Sequence, residues 1–253
     1  MATLNIQFGA YIYKVQGAHV APGGWAEQLT TRGEVQPVPR TDVALEVPGL
    51  LGPRVVTAQG VLVPPGATTR AAVRDAIAAF RYAHRPGYRD LYLDDDRAIR
   101  AQVTAVSVTE STVNSAQFSV RWECPDPYWR ALAAEGASWQ NPVTGVLPVN
   151  NSGGAEARPA FTFTIDAAGT LSLTLQNTAV SSPNAFSLSG AVGSGDIFVV
   201  DCAAQTVTLN GANALDRFGG WFWRLAPGVN NLALSVSGAT LAAMAASWVP
   251  RWL

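Results

Sequence analysis

Apolar residues recur along this chain with two periods, and the switches between them mark its elements. Ile6 and Phe8, with Leu4 before them, alternate with polar neighbours and predict a first strand. In TTRAAVRDAIAAFRYAH the period lengthens. Val73, Ile77, Phe80 and His84 fall on one stripe with Ala76, while Arg70, Arg74, Asp75 and Arg81 lie elsewhere, so residues 70–84 predict an amphipathic helix lying against a sheet. Thr68 or Thr69 supplies its N-cap and Pro86-Gly87 its stop. LYL and AIRAQVTAVSV then flank Asp94-Asp95-Asp96 as a hairpin with an acidic tip. Phe118, Val120, Trp122 and Cys124 alternate with Ser119, Arg121 and Glu123, which turns Cys124 inward on the next strand.

Beyond residue 135 the long period disappears. FTFTI, LSLTLQ, FSLSG, DIFVV, TVTLNG and NNLALSVSG are short alternating runs separated by Gly, Asn, Pro and Asp, the pattern of an antiparallel sandwich. DIFVVDCAAQTVTLNG is the clearest hairpin. Between the two regions, NPVTGVLPVNNSGGAEARP has little periodicity and reads as a connection. The expected organisation is a mainly β chain of two domains, 1–135 and 136–253.

Charge supports a division there. Of the 17 basic and 18 acidic residues in 253, the first region holds 13 of each and the second only 4 and 5. A net charge of -1 gives no whole-surface attraction to nucleic acid or to an anionic membrane. ATLAAMAASWV, the most apolar stretch near the end, is far shorter than the roughly 20 residues of a membrane helix. The start lacks the basic and continuously apolar segments of a secretion signal, so the expectation is a soluble protein that associates with no membrane.

Enzymatic constellations are sparse. His19 and His84 have no metal-ligand spacing, Cys124 and Cys202 form neither a zinc pattern nor a disulfide framework, and P-loop, G-x-S-x-G and H-E-x-x-H motifs do not occur. Asp94, Asp95 and Asp96 lack the spaced ladder of a calcium loop. The reading is of no enzyme, no catalytic residue, no metal and no cofactor. Arg70, Arg74, Arg81, Arg85 and Arg89 form the densest basic cluster, read as a solvated or subunit-facing surface. Trp221 and Trp223 sit two apart, so in a strand both indoles project from one face, toward a core, a partner or a glycan. Asp126-Pro127-Tyr128-Trp129 makes a stiff exit from the preceding strand, with Tyr128 and Trp129 able to wedge a domain junction.

Particular strings narrow the function. GVLVPPGATTRAAVRDAIAAFRYAHRPGYRDLYLDDDRAIRAQVTAVSV, followed by QFSVRWECPDPYWRA, resembles the distal tail protein family of long-tailed bacteriophages. GDIFVVDCAAQTVTLNG and the later Leu225-Ala226-Pro227-Gly228-Val229-Asn230 are similar to that family's second half. The resemblance implies an N-terminal split β-barrel with one helix, akin to tail-tube proteins, and a galectin-like β-sandwich outside it. It further implies a hexameric ring at the virion tail tip, assembled in the host cytoplasm. That ring joins the tail tube protein to the tail-tip hub protein around a channel through which DNA passes. A carbohydrate-binding sandwich using Trp221 and Trp223 is the alternative.

Overall fold

The structure is a computed structural model describing residues 6–13, 16, 18–32, 35–37, 44–46, 50–66, 69–93, 96–182 and 184–253. Contacts divide the chain into two compact units, Met1–Trp129 and Arg130–Leu253. The first unit contains β1 (Ile6–Phe8), β2 (Tyr11–Ile12), β3 (Ala18–Arg32), β4 (Val35–Pro37), β5 (Ala44–Glu46), β6 (Leu50–Leu62), α1 (Arg70–Ala83), β7 (Tyr88–Leu93), β8 (Arg97–Thr112) and β9 (Ser115–Cys124). Its main sheet has the order β2-β1-β7-β8-β9-β6-β3, antiparallel throughout.

Helix α1 starts where Thr69, in extended geometry, accepts a hydrogen bond from the Ala72 N–H. Val73, Ile77 and Phe80 are buried, as the stripe predicts. Fourteen residues make a marginal helix in water, so about 2 kcal/mol from each of these three side chains is what holds it. The Phe80 ring lies 5.0 Å from Phe118, which places α1 against the face of β9 that carries Phe118, Val120, Trp122 and Cys124, all buried. Ile6 and Phe8 of β1, Leu91 of β7 and Val56, Ala58 and Leu62 of β6 complete this core. The β7–β8 hairpin forms with Leu93 opposite Arg97. Leu4, Thr68, Asp94 and Asp95 lie outside the described residues.

The unit from Arg130 follows β10 (Trp129–Ala131) and comprises β11 (Glu135–Gln140), β12 (Gly145–Asn151), β13 (Ala160–Ala167), β14 (Gly169–Asn177), β15 (Ala185–Val192), β16 (Ile197–Asp201), β17 (Thr206–Leu209), β18 (Ala212–Asn213), β19 (Phe218–Gly220), β20 (Gly228–Ser237), β21 (Thr240–Trp248) and β22 (Arg251–Trp252). Two antiparallel sheets, ordered β11-β21-β13-β16-β17-β18 and β12-β20-β14-β15-β19, share one apolar core. Phe161, Phe163 and Ile165 face it from one sheet and Leu171, Leu173 and Leu175 from the other, which is what period-two alternation requires. The chain is mainly β with a single α-helix among the described residues, as expected.

The segment read as a connection is corrected. Gly145–Asn151 within it is β12, paired along its whole length with β20 from Gly145 opposite Leu234 to Asn151 opposite Gly228. Pro148 and the flanking Gly and Asn hide it because they are strand-poor residues, and an edge strand tolerates them. The Ala-rich run before Pro250 is β21, whose alanines are held extended between β11 and β13 against their helical preference.

Candidate functional site

The exit from β9 is pinned by a polar cluster centred on β6. Asp126 Oδ1 accepts from the Tyr128 N–H at 3.2 Å, the turn that its place before Pro127 predicts. Pro127 is buried, and its carbonyl accepts from Arg54 Nε at 2.8 Å. Arg54, only 3% exposed, forms an ion pair with Glu27 of β3. Glu27 also accepts from Trp129 Nε1 at 3.1 Å and from Trp25 Nε1 at 3.0 Å. The D-P-Y-W string is therefore clamped on both sides of its proline. Sequence reasoning singled out neither Arg54 nor Glu27. The available signal was parity: Arg54 shares the apolar face of β6 with Val56, Ala58 and Leu62, and a cation in such a row requires a partner.

The opposite face of this sheet is open. Register sets Val55, Thr57, Gln59 and Val61 of β6 beside Glu123, Arg121, Ser119 and Gln117 of β9, with Gln102, Ala105, Ser107 and Thr109 of β8 beyond them. Arg121 and Glu123 are the charged members of these rows; the rest are small, neutral or amide side chains.

His84 is structural. It caps the C-terminus of α1, its Nδ1 donates to the Phe80 carbonyl at 2.7 Å, and its Nε2 therefore accepts from the Tyr13 hydroxyl at 2.6 Å. Burial lowers its pKa to about 4, the bond to Phe80 opposing this and nearby Arg89 adding to it. The unfolded chain, with histidine near its usual 6.5, binds the proton more readily between those values. Stability is accordingly full at pH 7, falls from about pH 6.5 down to about 4 by about 3 kcal/mol, and loses no more from this group below that. Urea unfolding at a series of pH values measures the slope, and His84→Gln is expected to be weaker at pH 7 but to lack it.

His19 is exposed on β3, remote in role from any constellation. Cys124 and Cys202 are free and buried, and burial pushes both thiols up to about 12, far from a reactive thiolate. Among the described residues no His, Cys, Asp and Glu group is arranged to hold a metal ion. No helix of the described residues is long and apolar enough to cross a membrane.

Trp221 and Trp223 do not share a face, which corrects the expectation of paired indoles. Residues 221–224 belong to no strand. Trp223, 2% exposed, lies in the sandwich core 5.0 Å from the Phe161 ring, whereas Trp221 is 63% exposed. Gly220, at φ 97°, and the stacking of Phe222 on Phe218 break the alternation that the spacing suggested.

The Leu225–Asn230 string forms a turn whose carbonyls and amides are gathered by one side chain. Asn230 Nδ2 donates to the carbonyls of Ala226 and Gly228, each at 2.9 Å, and its Oδ1 accepts from the Ala226 N–H at 2.8 Å and from Asn177 Nδ2 at 2.9 Å. Gly228 sits at φ 80°, a conformation that an L side chain strains. Asn151 Nδ2 adds bonds to the carbonyls of Ala155 and Ala226.

Residues 152–252 match the family model described as siphovirus-type tail component, C-terminal domain. Among solved structures, the chain is similar to the Dit protein of phage SPP1, at 13% identity and a TM-score of 0.70 over 100% of both chains. That structure's description presents it as a paradigm of the hub adsorption apparatus in phages infecting Gram-positive bacteria. A chain in the activated phage P2 baseplate with Ca matches at 7% identity and a TM-score of 0.43, over 99% of this chain and 98% of that one. Comparison with curated proteins gives no match.

Proposed function

We propose that the chain is a structural, non-enzymatic adaptor of the phage tail tip, a reading that rests on the match of residues 152–252 to the siphovirus-type tail component model. Six copies close into a ring through residues 1–135, and residues 136–253 form the outer domain. The ring sits between the tail tube protein and the tail-tip hub protein, is assembled in the host cytoplasm, and leaves a channel for DNA.

The family match carries this reading, and the full-length likeness of fold to the SPP1 Dit protein supports it. The open face of the β6-β9-β8 sheet suits a channel wall. A conduit lined with Arg and Lys would condense on phosphates and hold the genome, whereas Ser, Thr, Gln and Val rows with one Arg beside one Glu do not. The clamped Asp126-Pro127-Tyr128-Trp129 string suits a fixed exit of the chain from the first unit. Trp221, with its exposed ring, is the outer domain's contact residue for a partner or a glycan; Trp223 serves the core.

Static light scattering on the purified protein from micromolar to millimolar concentration tests the ring. The expected mass rises toward that of six chains, and a strict monomer throughout would refute it. Electron microscopy of virions labelled on this chain is expected to place it at the tail end.

A further inference from the structure

A cavity of about 610 Å³ lies beside α1 in the first unit, within the roughly 300–1,000 Å³ of small-molecule sites. The helix sequence opens it. Ala76, Ala79 and Ala83 recur at i, i+3 and i+7, so three methyl groups border the hollow where larger side chains would close it. Phe8 and Tyr11 add aromatic surface, and Tyr82, Arg85 and Arg89 complete the part that concerns charge.

None of the lining residues is acidic. The Arg85 guanidinium lies over the Tyr82 ring, 4.0 Å from its centre, which occupies one flat face and leaves the in-plane N–H groups without an acceptor among the described residues. Arg89 lies 5.6 Å from the Phe8 ring centre and donates to the Ala83 carbonyl at the end of α1. Among the described residues neither arginine is ion-paired with a carboxylate, unlike Arg70 and Arg74, which share Glu110. Asp75, the acidic residue of α1, stands far back along the helix, roughly 15 Å from Arg85 at the helical rise.

An apolar floor beside uncompensated cations discriminates among occupants. A cationic amphiphile is repelled by Arg85 and Arg89. A polyphosphate gains from the charge and nothing from the floor. A neutral apolar molecule uses the floor and leaves the guanidinium N–H groups to water. An apolar body ending in one carboxylate or sulfonate uses both.

We infer that this cavity binds a small amphiphilic anion, its apolar body on Phe8, Tyr11 and Ala79 and its carboxylate against Arg85. The site is independent of the ring reading, and neither falls with the other.

Fluorescence titration of the full chain with anilinonaphthalene sulfonate tests it, beside phenylnaphthylamine, which has the same rings and no charge. Arg85→Gln is expected to weaken the anionic dye about fivefold and to leave the neutral one within about twofold. Ala79 is exposed on α1, so Ala79→Trp fills the hollow without entering the core and is expected to weaken both dyes about tenfold or more. Decanoate is expected to displace the anionic dye, at a concentration that rises about fivefold in Arg85→Gln. Thermal unfolding shows that each variant is folded. If the unaltered protein binds neither dye, or Ala79→Trp binds both unchanged, the cavity is no ligand site. If Arg85→Gln weakens both dyes equally or neither, or decanoate displaces nothing, an anion is the wrong occupant and the inference is overturned.

Discussion

Asn230→Asp is expected to cost the C-terminal unit about 4 kcal/mol at pH 7, although the side chain keeps its size and shape. Asn230 is fully buried and uses both ends of its amide: two donors to the Ala226 and Gly228 carbonyls, and one acceptor for Ala226 N–H and Asn177 Nδ2. A carboxylate keeps the acceptor and loses both donors, so two carbonyls lose their bonds and face a buried negative charge. Protonation restores a donor. The variant's carboxyl, pushed above its usual range, binds a proton more readily than the unfolded chain, so the loss shrinks as pH falls from 7 toward 5. Hydrogen exchange of β14 and β20 reads the effect in the full chain. Asn231→Asp, one residue along on the exposed side of β20, is expected to change exchange by little. Equal effects at the two positions would remove the role assigned to the Asn230 amide.

This turn also shows what a sequence reveals. Leu225–Asn230 is legible as a motif, yet Asn230 stands on the buried parity of β20 with Leu232 and Leu234, where pattern alone reads it as an intrusion. Its side-chain partner outside the turn, Asn177, lies 53 residues away, and Asn151, which donates to the same Ala226 carbonyl, lies 75 residues from it, so no local signal pairs them. Helix α1, β9 and the β16–β17 hairpin are legible for the opposite reason: cap, period and turn residues agree within each. Strands β12 and β21 escape notice because their neighbours, not their own residues, make them extended. Trp221 and Trp223 mislead because alternation in two residues does not make a strand. The likeness to distal tail proteins, drawn from the order of several weak strings, agrees with the family match and with the fold shared with SPP1 Dit.

The second large effect concerns the clamp at the end of β9. Arg54→Met is expected to cost about 4 kcal/mol, because it strips the Pro127 carbonyl of its donor and leaves Glu27 without its cation. Not all of that measures what the ion pair contributes to the native fold. Arg54 Nη2 is buried with no partner among the described residues, so desolvation already offsets part of the attraction. Replacing Glu27 as well separates the two. Glu27→Gln removes the stranded charge and keeps an oxygen for one of the two indole N–H groups, which bond different oxygens of the carboxylate, so the double variant is expected to recover about a third of the loss seen in Arg54→Met. Urea midpoints of the four proteins form the cycle. If the double variant is as unstable as the sum of the single changes, the pair is not coupled. The fixed exit at Asp126-Pro127-Tyr128-Trp129 would then depend on the packing of Trp129, not on charge.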